Sequence, residues 1–304
     1  MATREIGQQT DRLVLAPAAR REAVLELIRS TQRTLLLSVF RCDDFKMLDE
    51  LAATVRRGVR VRILITQRAR GWREKLKDLT AVLRSFGAEV QPYENPTMKY
   101  HAKYIIADDA RVLVTSLNFT RKCFETTCDF LVFSDDTEVA SGLKNLFDAD
   151  CTVSSNGFAV PATQRLIIGP DDSRKRLIQL LSNATSSIRI VDHRVTDPEI
   201  VELLGQKRQQ GVMVQVLGNG PMAGLVCHGR MLLIDEKTAI IGSIHLSRPS
   251  LDLRREVAIV TEEPSVVSEL YDYFQSLASD AANLMNLWAT PPAPSLDEDD
   301  EEEE

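Results

Sequence analysis

Apolar residues in this chain fall into two alternating patterns. Short apolar runs occur at Leu35–Val39, Val59–Ile65, Ile188–Asp192 and Val212–Leu217. Between them, apolar residues recur every three or four positions, as in Leu48, Leu51 and Val55, and in Ile200, Leu203 and Leu204. The runs predict buried strands and the intervening stretches predict amphipathic helices. One helix begins near Phe45. Another begins at Pro198, with Asp197 as its N-cap and proline at its first position. Both end at a glycine, Gly58 and Gly211, the residue that helix C-termini favour. Helices alternating with apolar strands imply layered α/β packing, with each sheet covered on both faces.

The pattern is duplicated. "RLVLAP" at 12–17 returns as "RLIIGP" at 165–170, and "RRGVRVRILI" at 56–65 returns as "QQGVMVQVLG" at 209–218, both at a shift of 153. "HAKYIIADDARVLVTSLNF" at 101–119 returns near 228–246 at a shift of only 127. The difference lies in one segment of the first half, "GWREKLKDLTAVLRSFGAEVQPYEN", which reads as a helix over 73–86, a stop at Gly87 and a strand over 89–93. The second half has only "NGPMAG" there. Two similar halves in one chain predict pseudo-two-fold docking, a dimer fused into a monomer. The expected division is a first repeat over 1–153, a second over 164–289 and a disordered acidic end over 290–304.

The motif inside each repeat is a strand, a turn and a second strand. Aspartates suit the turns at Asp108–Asp109 and at Asp235, because their side chains bond nearby backbone groups. Strand alternation puts His101 and Lys103 on one face. The expected register sets Lys103 opposite Ser116 and His101 opposite Asn118. In the second copy it sets Arg230 opposite Ser243 and His228 opposite His245. Each hairpin then carries an imidazole and a cation with polar partners to one patch, half of a site.

These residues resemble the phospholipase D superfamily, whose pattern is two copies of H-x-K-x(4)-D followed by x(6)-G-[ST]-x-N. The first copy reads His101, Lys103, Asp108, Thr115, Ser116 and Asn118; the second reads His228, Arg230, Asp235, Gly242, Ser243 and His245. An acid follows eleven residues after each copy, Asp129 and Glu256. The similarity extends over nearly all of residues 12–285. It implies an α/β fold of two pseudo-symmetric phospholipase D-like lobes, each a mixed sheet flanked by helices, with the active site between them.

The resemblance implies metal-independent phosphodiester chemistry. His101 attacks phosphorus to form a phosphohistidine, and His228 protonates the leaving alcohol; the reverse assignment stays open. Lys103 and Arg230 hold the phosphoryl oxygens. Ser116, Asn118, Ser243 and His245 are substrate-binding. Asp129 and Glu256 orient the imidazoles crosswise. Asp108 and Asp235 sit in turns and read as structural, with a catalytic role as the alternative. The second copy departs from the pattern at Arg230 and His245, and the first at Thr115. Arginine and lysine are not interchangeable at a phosphate, so a repeat that binds without cleaving remains an alternative. A phospholipid is the first substrate reading, by hydrolysis or by transfer to an alcohol; a nucleic acid is the second.

Composition narrows this picture. Net charge is −7, but the last eight residues are all acidic, and without them 37 basic residues face 36 acidic ones. A near-neutral body gives no global support for nucleic-acid binding and does not exclude it. No apolar run reaches the ~20 residues of a membrane span, and the start has no apolar core of a secretory leader. A cytoplasmic protein touching membranes at most peripherally is expected. The five cysteines are irregularly spaced and read as reduced thiols. Four histidines without a carboxylate cluster at ligand spacing predict no metal and no cofactor. His193, Trp72 in "RARGWREK" and the Leu-rich 269–287 read as packing residues, the last as a C-terminal helix.

Overall fold

The computed structural model describes residues 11–152 and 163–288. The start, the junction between the repeats and the acidic end at 290–304 lie outside the described residues. The first lobe comprises β1 (Arg12–Val14), α1 (Pro17–Arg29), β2 (Thr34–Val39), α2 (Phe45–Arg56), β3 (Arg60–Ile65), α3 (Arg73–Ser85), β4 (Glu89–Pro92), β5 (Lys99–Tyr100), β6 (Tyr104–Ala107), β7 (Arg111–Thr115), α4 (Arg121–Glu125), β8 (Thr127–Cys128), β9 (Leu131–Ser134) and α5 (Thr137–Asp150). The second comprises β10 (Leu166–Gly169), α6 (Ser173–Ser182), β11 (Ser187–Val191), α7 (Pro198–Gln209), β12 (Met213–Leu217), β13 (Pro221–Met222), β14 (Leu225–Cys227), β15 (Arg230–Ile234), β16 (Thr238–Gly242), α8 (Arg248–Leu253), β17 (Arg254–Thr261) and α9 (Pro264–Ala278).

The two sheets share one topology. The first runs β1-β9-β7-β6-β2-β3-β4 and the second runs β10-β17-β16-β15-β11-β12. Strands β2, β3 and β4 are parallel, as are β11 and β12; the others along these paths pair antiparallel. The segment unique to the first half supplies α3 and the edge strand β4. The local rules repeat as well. Asp44 and Asp197 cap α2 and α7 by accepting from Met47 N (3.1 Å) and Ile200 N (3.2 Å). Gly58 and Gly211, just past the same helices, take φ of 86° and 89°, which a side chain would disfavour.

Strand alternation sets the layers. Ile105, Ala107 and Leu113 pack outward with Val24, Ile28, Met47 and Leu51 of the first lobe's helices. Leu232, Ile234 and Ile240 do the same with Leu177, Leu181, Ile200 and Leu204. The opposite faces, Tyr104, Ile106, Val112 and Val114 with Met231, Leu233, Ala239 and Ile241, merge into one core shared by both lobes. This shared core packs the two lobes directly against each other.

Two very short strands cross between lobes. β5 pairs in parallel with the start of β17, Lys99 opposite Arg254 and Tyr100 opposite Arg255. β14 pairs in parallel with β8, Val226 opposite Thr127 and Cys227 opposite Cys128. These pairings correspond under the internal repeat.

Three expectations need correction. The hairpin registers are shifted by one residue. Tyr104 pairs with Val114, so Lys103 lies opposite Thr115, its carbonyl accepting from Thr115 N (3.2 Å); Arg230 pairs with Gly242. The cause is a three-residue loop in each copy, with positive φ at Asp108 and Asp109, and at Asp235 and Glu236. Next, the strand expected at Asp129–Phe133 begins at Leu131, because the chain before it pairs with the other lobe. Finally, the C-terminal helix ends at Ala278, where the Asp280 carboxylate accepts from Ala282 N (2.9 Å) and starts a new turn.

The turn aspartates act as backbone clamps. Asp108 accepts from the N–H groups of Gln32 (2.9 Å), Arg33 (2.7 Å) and Thr34 (3.1 Å). Asp235 accepts from those of Thr185 (2.8 Å), Ser186 (2.7 Å) and Ser187 (2.9 Å). Each fixes the entry of the strand beside its hairpin. Partial burial pushes both carboxyls up, but the converging N–H groups win and hold them below the usual range. Asp235→Ala is therefore expected to lower the unfolding free energy by about 1–3 kcal/mol at pH 7. Because the folded-state pKa is depressed, that difference fades as pH falls below about 4. Urea denaturation at both pH values measures it.

Candidate active site

The two strand exchanges decide which side chains meet. His101 directly follows β5, and its N–H donates to Arg255 O (2.9 Å), one residue before Glu256. His101 Nδ1 then faces Glu256 Oε1 (3.1 Å) and Oε2 (3.0 Å). His228 directly follows β14, and Gly229 N donates to Cys128 O (2.6 Å), one residue before Asp129. His228 Nδ1 faces Asp129 Oδ1 (2.8 Å) and Oδ2 (3.0 Å). Each imidazole is thus oriented by the carboxylate of the opposite lobe. Gly229 permits this approach: a Cβ there would sit 2.6 Å from Cys128 O and 2.6 Å from the Phe130 ring.

The carboxylates are fully buried and differently supported. Asp129 also accepts from Ser116 Oγ (2.6 Å) and Thr127 Oγ1 (2.5 Å). Buried Arg20 secures its backbone, donating to Thr127 O (2.5 Å) and Asp129 O (3.1 Å). Burial alone would raise the Asp129 carboxyl, but His228, Arg20 and Ser116 together pull it below the usual range. Glu256 accepts from Ser250 Oγ (3.0 Å). Burial outweighs its cationic neighbours Lys103 and Arg254 and leaves its carboxyl raised.

The cations occupy distinct settings. Lys103 Nζ lies 2.9 Å from His101 Nε2, is buried, and stands 5.0 Å from the Phe40 ring centroid. Phe40 also meets the His101 ring edge-on at 4.5 Å. Arg230 Nε donates to His245 Nε2 (2.9 Å), and Nη1 lies 3.4 Å from Ser116 O. His245 Nδ1 in turn lies 2.6 Å from Asp192 Oδ1, while Asp192 Oδ2 accepts from Leu246 N (2.9 Å). Burial first, then Arg230, pushes the His245 pKa well below its ordinary value despite Asp192. His245 is therefore neutral, with Nδ1–H donating to Asp192 and the Nε2 lone pair receiving Arg230. The departures from the pattern, Arg230 and His245, form one connected chain with Asp192.

Ser116 and Ser243, expected to bind substrate, are both engaged within the protein. Ser116 donates to Asp129 and accepts from Phe130 N (3.0 Å). Ser243 Oγ donates to Val257 O (3.3 Å) and accepts from Val257 N (3.1 Å). Both hydroxyls brace the strands that carry the acids, because the observed register turns them toward β9 and β17. His245 contacts Arg230. Asn118 Nδ2 lies 3.3 Å from His228 Nε2. His193 packs edge-on against His245 at 5.0 Å, and Trp72 is buried in the first lobe's core.

A pocket opens at this centre, lined by Phe40, Tyr100, His101, Arg230 and His245 together with further cations. His228, which is 3% exposed, is not among its lining residues. Sequence reasoning missed Asp192, Arg20, Ser250 and the pocket arginines Arg41, Arg194 and Arg254. A charged residue closing the apolar run "IRIVD" marked Asp192, and a match at the 153-residue shift marked Arg41 with Arg194. Among the described residues, two groups offer three metal-capable atoms within 4.8 Å: Cys123, Asp129 and His228, and Asp192, His193 and His245. In each, carboxylate and imidazole already satisfy one another, and the second has the Arg230 guanidinium against it.

The sequence matches the family described as "Cardiolipin synthase, PLD-like domain" over residues 24–151 and 221–278, more than half of the chain. The chain belongs to the phospholipase D superfamily. Its fold is similar to that of phosphatidylserine synthase from Haemophilus influenzae Rd KW20, with a TM-score of 0.64 and 12% identity over 92% of this chain and 90% of that one. It is also similar to polyphosphate kinase from Porphyromonas gingivalis, with a TM-score of 0.72, 16% identity and 93% of this chain covered. This chain spans 51% of that kinase. No curated protein sequence matches the chain.

If the Asp192–His245–Arg230 chain holds this half of the site, His245→Ala strands a buried carboxylate and a buried guanidinium. The expected loss is about 3–5 kcal/mol in urea denaturation; a loss below about 1 kcal/mol would place the contact among weak ion pairs. The wild-type imidazole refuses a proton that its unfolded form accepts. Its share of the stability should accordingly decline as pH drops below 6.5.

Proposed function

We propose that the chain is a phosphodiester-cleaving or phosphatidyl-transferring enzyme that acts on phospholipids through a covalent phosphohistidine on His101. One observation carries this reading. Both imidazoles bind a carboxylate through Nδ1, which leaves Nε2 of each for chemistry. With Nδ1–H donated to Glu256, His101 Nε2 keeps a lone pair, now facing the Lys103 ammonium. An arriving phosphoryl group takes over that ammonium, and Nε2 forms the N–P bond as the P–O bond to the leaving group breaks. His228, beside ionised Asp129, gives its Nε2 proton to the leaving oxygen. Water or an acceptor alcohol then loses a proton to His228 and displaces His101 from phosphorus.

The Asn118 carboxamide suits both states of His228. Its amino group donates to an unprotonated Nε2, and the same group turned over accepts from Nε2–H. The assignment of His101 as nucleophile is supported by its place in the pocket wall and by the raised Glu256 carboxyl, which favours a neutral partner. A phospholipid is favoured over nucleic acid by the near-neutral charge of the body. Among the described residues no helix is long and apolar enough to cross a membrane.

His101→Ala is expected to abolish turnover, and His228→Ala to lower it by about 10²–10⁴-fold. Near-wild-type turnover in either variant would refute the roles. Substrate labelled at phosphorus should leave acid-labile label on His101; label confined to His228 would reverse the assignment. Headgroup release from phospholipid vesicles, set against nicking of plasmid DNA, separates the lipid reading from the nuclease reading. Inactivity in both with phosphate binding retained would show a non-catalytic member.

A further inference from the structure

The β5–β17 exchange consists of two paired positions, Lys99 with Arg254 and Tyr100 with Arg255. So short a ladder supplies few hydrogen bonds to hold its own register. Arg255 adds an anchor. Its side chain is 6% exposed, and strand alternation sends it to the face of β17 opposite Glu256. There Nε donates to Asp150 Oδ1 (3.0 Å) at the end of α5, while Nη1 donates to Gly169 O (2.9 Å) and to the Asp171 carboxylate. Asp150 belongs to the first lobe; Gly169 and Asp171 belong to the second. One buried guanidinium thus ties both lobes together at the strand that carries Glu256.

These ties converge on the side of the site that carries His101. Arg255 O accepts from His101 N (2.9 Å). Gly169 pairs with Glu256 across the β10–β17 ladder, so closely that a Cβ on it would sit 3.1 Å from Glu256 Cβ. On the β5 side, the Tyr100 ring packs against Tyr93 (4.6 Å between centroids) and its hydroxyl meets Ser38 Oγ (2.7 Å). The duplication does not extend to this arginine. At the 127-residue shift its equivalent is Cys128, packed in the shared core of the other exchange.

We infer that Arg255 is a positioning residue for His101: clamped between Asp150 and Asp171, its guanidinium holds β5 and β17 in the register that sets His101 Nδ1 against Glu256. The effect on turnover rests on the proposed role of His101; the effect on the imidazole rests on the geometry alone. Asp150 makes the clamp pH-sensitive. The titratable groups around it are Arg255 of β17, Asp171 after β10, Tyr93 after β4, Tyr100 of β5, Tyr104 of β6 and its neighbour Cys151. Burial raises the three phenols and the thiol, so they stay neutral near pH 7. Burial also pushes the Asp150 carboxyl up to about 7 against the pull of Arg255, and among the described residues its Oδ2 has no hydrogen-bond partner. Below that pH Asp150 is a neutral acceptor and Arg255 keeps the Asp171 carboxylate; above it both carboxylates grip. The folded-state pKa lies above the unfolded value, so stability from this group is lost as pH rises from about 4 to about 7. Asp150→Asn, which stays neutral, should therefore melt no lower than wild type at pH 8.

Imidazole NMR of the full chain carrying isotope-labelled histidine tests the clamp without turnover. Across a pH titration the wild-type His101 nitrogen signals should show a step near pH 7 that Asp150→Asn removes, while the His228 and His245 signals stay in place. Turnover of bis(p-nitrophenyl) phosphate, a simple diester, is the second readout. Asp150→Asn should lower kcat about tenfold at pH 8 and less than about twofold at pH 6, where the wild-type residue is protonated too, with KM held within about twofold. Arg255→Lys keeps the charge but not the fork, and should lower kcat about tenfold at both pH values and move the His101 signals. His101 signals unmoved in both variants, or an Asp150→Asn loss equal at the two pH values, overturns the inference and leaves Arg255 a structural ion pair. A melting temperature for Asp150→Asn below wild type at pH 8 overturns the pH dependence. A His101 step near pH 7 in a wild type that turns over no diester or phospholipid would sink the catalytic reading alone.

Discussion

The site depends on a pair of two-residue strand exchanges. Tyr100 pairs with Arg255 and Cys227 pairs with Cys128, and the next residue along each strand belongs to the candidate site: His101 beside Glu256, His228 beside Asp129. Backbone hydrogen bonds between lobes therefore fix the imidazole–carboxylate contacts to within a residue. Neither lobe could assemble its own pair, because each histidine's acid is on the other. The shared apolar core of Tyr104, Ile106, Met231 and Leu233 holds the exchange in place, so stability and site geometry have the same origin.

On this symmetric frame the two halves have diverged chemically. In the first, Lys103 reaches past Phe40 to His101. In the second, the corresponding Arg230 turns to His245, which Asp192 anchors. A long, flexible ammonium can move onto a phosphoryl oxygen, whereas a planar guanidinium held by a neutral imidazole is a fixed clamp. The carboxyls differ too, Asp129 pulled down by His228 and hydroxyl donors, Glu256 pushed up by burial. These asymmetries suit one imidazole to attack and the other to carry a proton, although the backbone treats both alike.

Much of this was legible in the sequence. The repeats at shifts of 153 and 127 announced the repeated elements, their capped helices, the inserted α3–β4 unit and the motif residues that the fold brings together. The one-residue register error arose because two successive positive-φ residues lengthen each turn, which an aspartate pair alone does not announce. The strand exchanges were invisible because two residues have no periodicity. The bracing roles of Ser116 and Ser243 depend on which neighbour a hydroxyl meets, and that follows from the register. Asp192 was read as the end of a strand; only its burial against His245 gives it a role.

A crystal structure of the full chain with bound vanadate tests the central claim most directly, since vanadate adopts the five-coordinate geometry of phosphoryl transfer. The account predicts vanadium bonded to His101 Nε2, with His228 Nε2 hydrogen-bonded to the opposite apical oxygen and Arg230 on an equatorial one. Vanadate bound clear of both rings, or the two rings facing separate cavities, would contradict it.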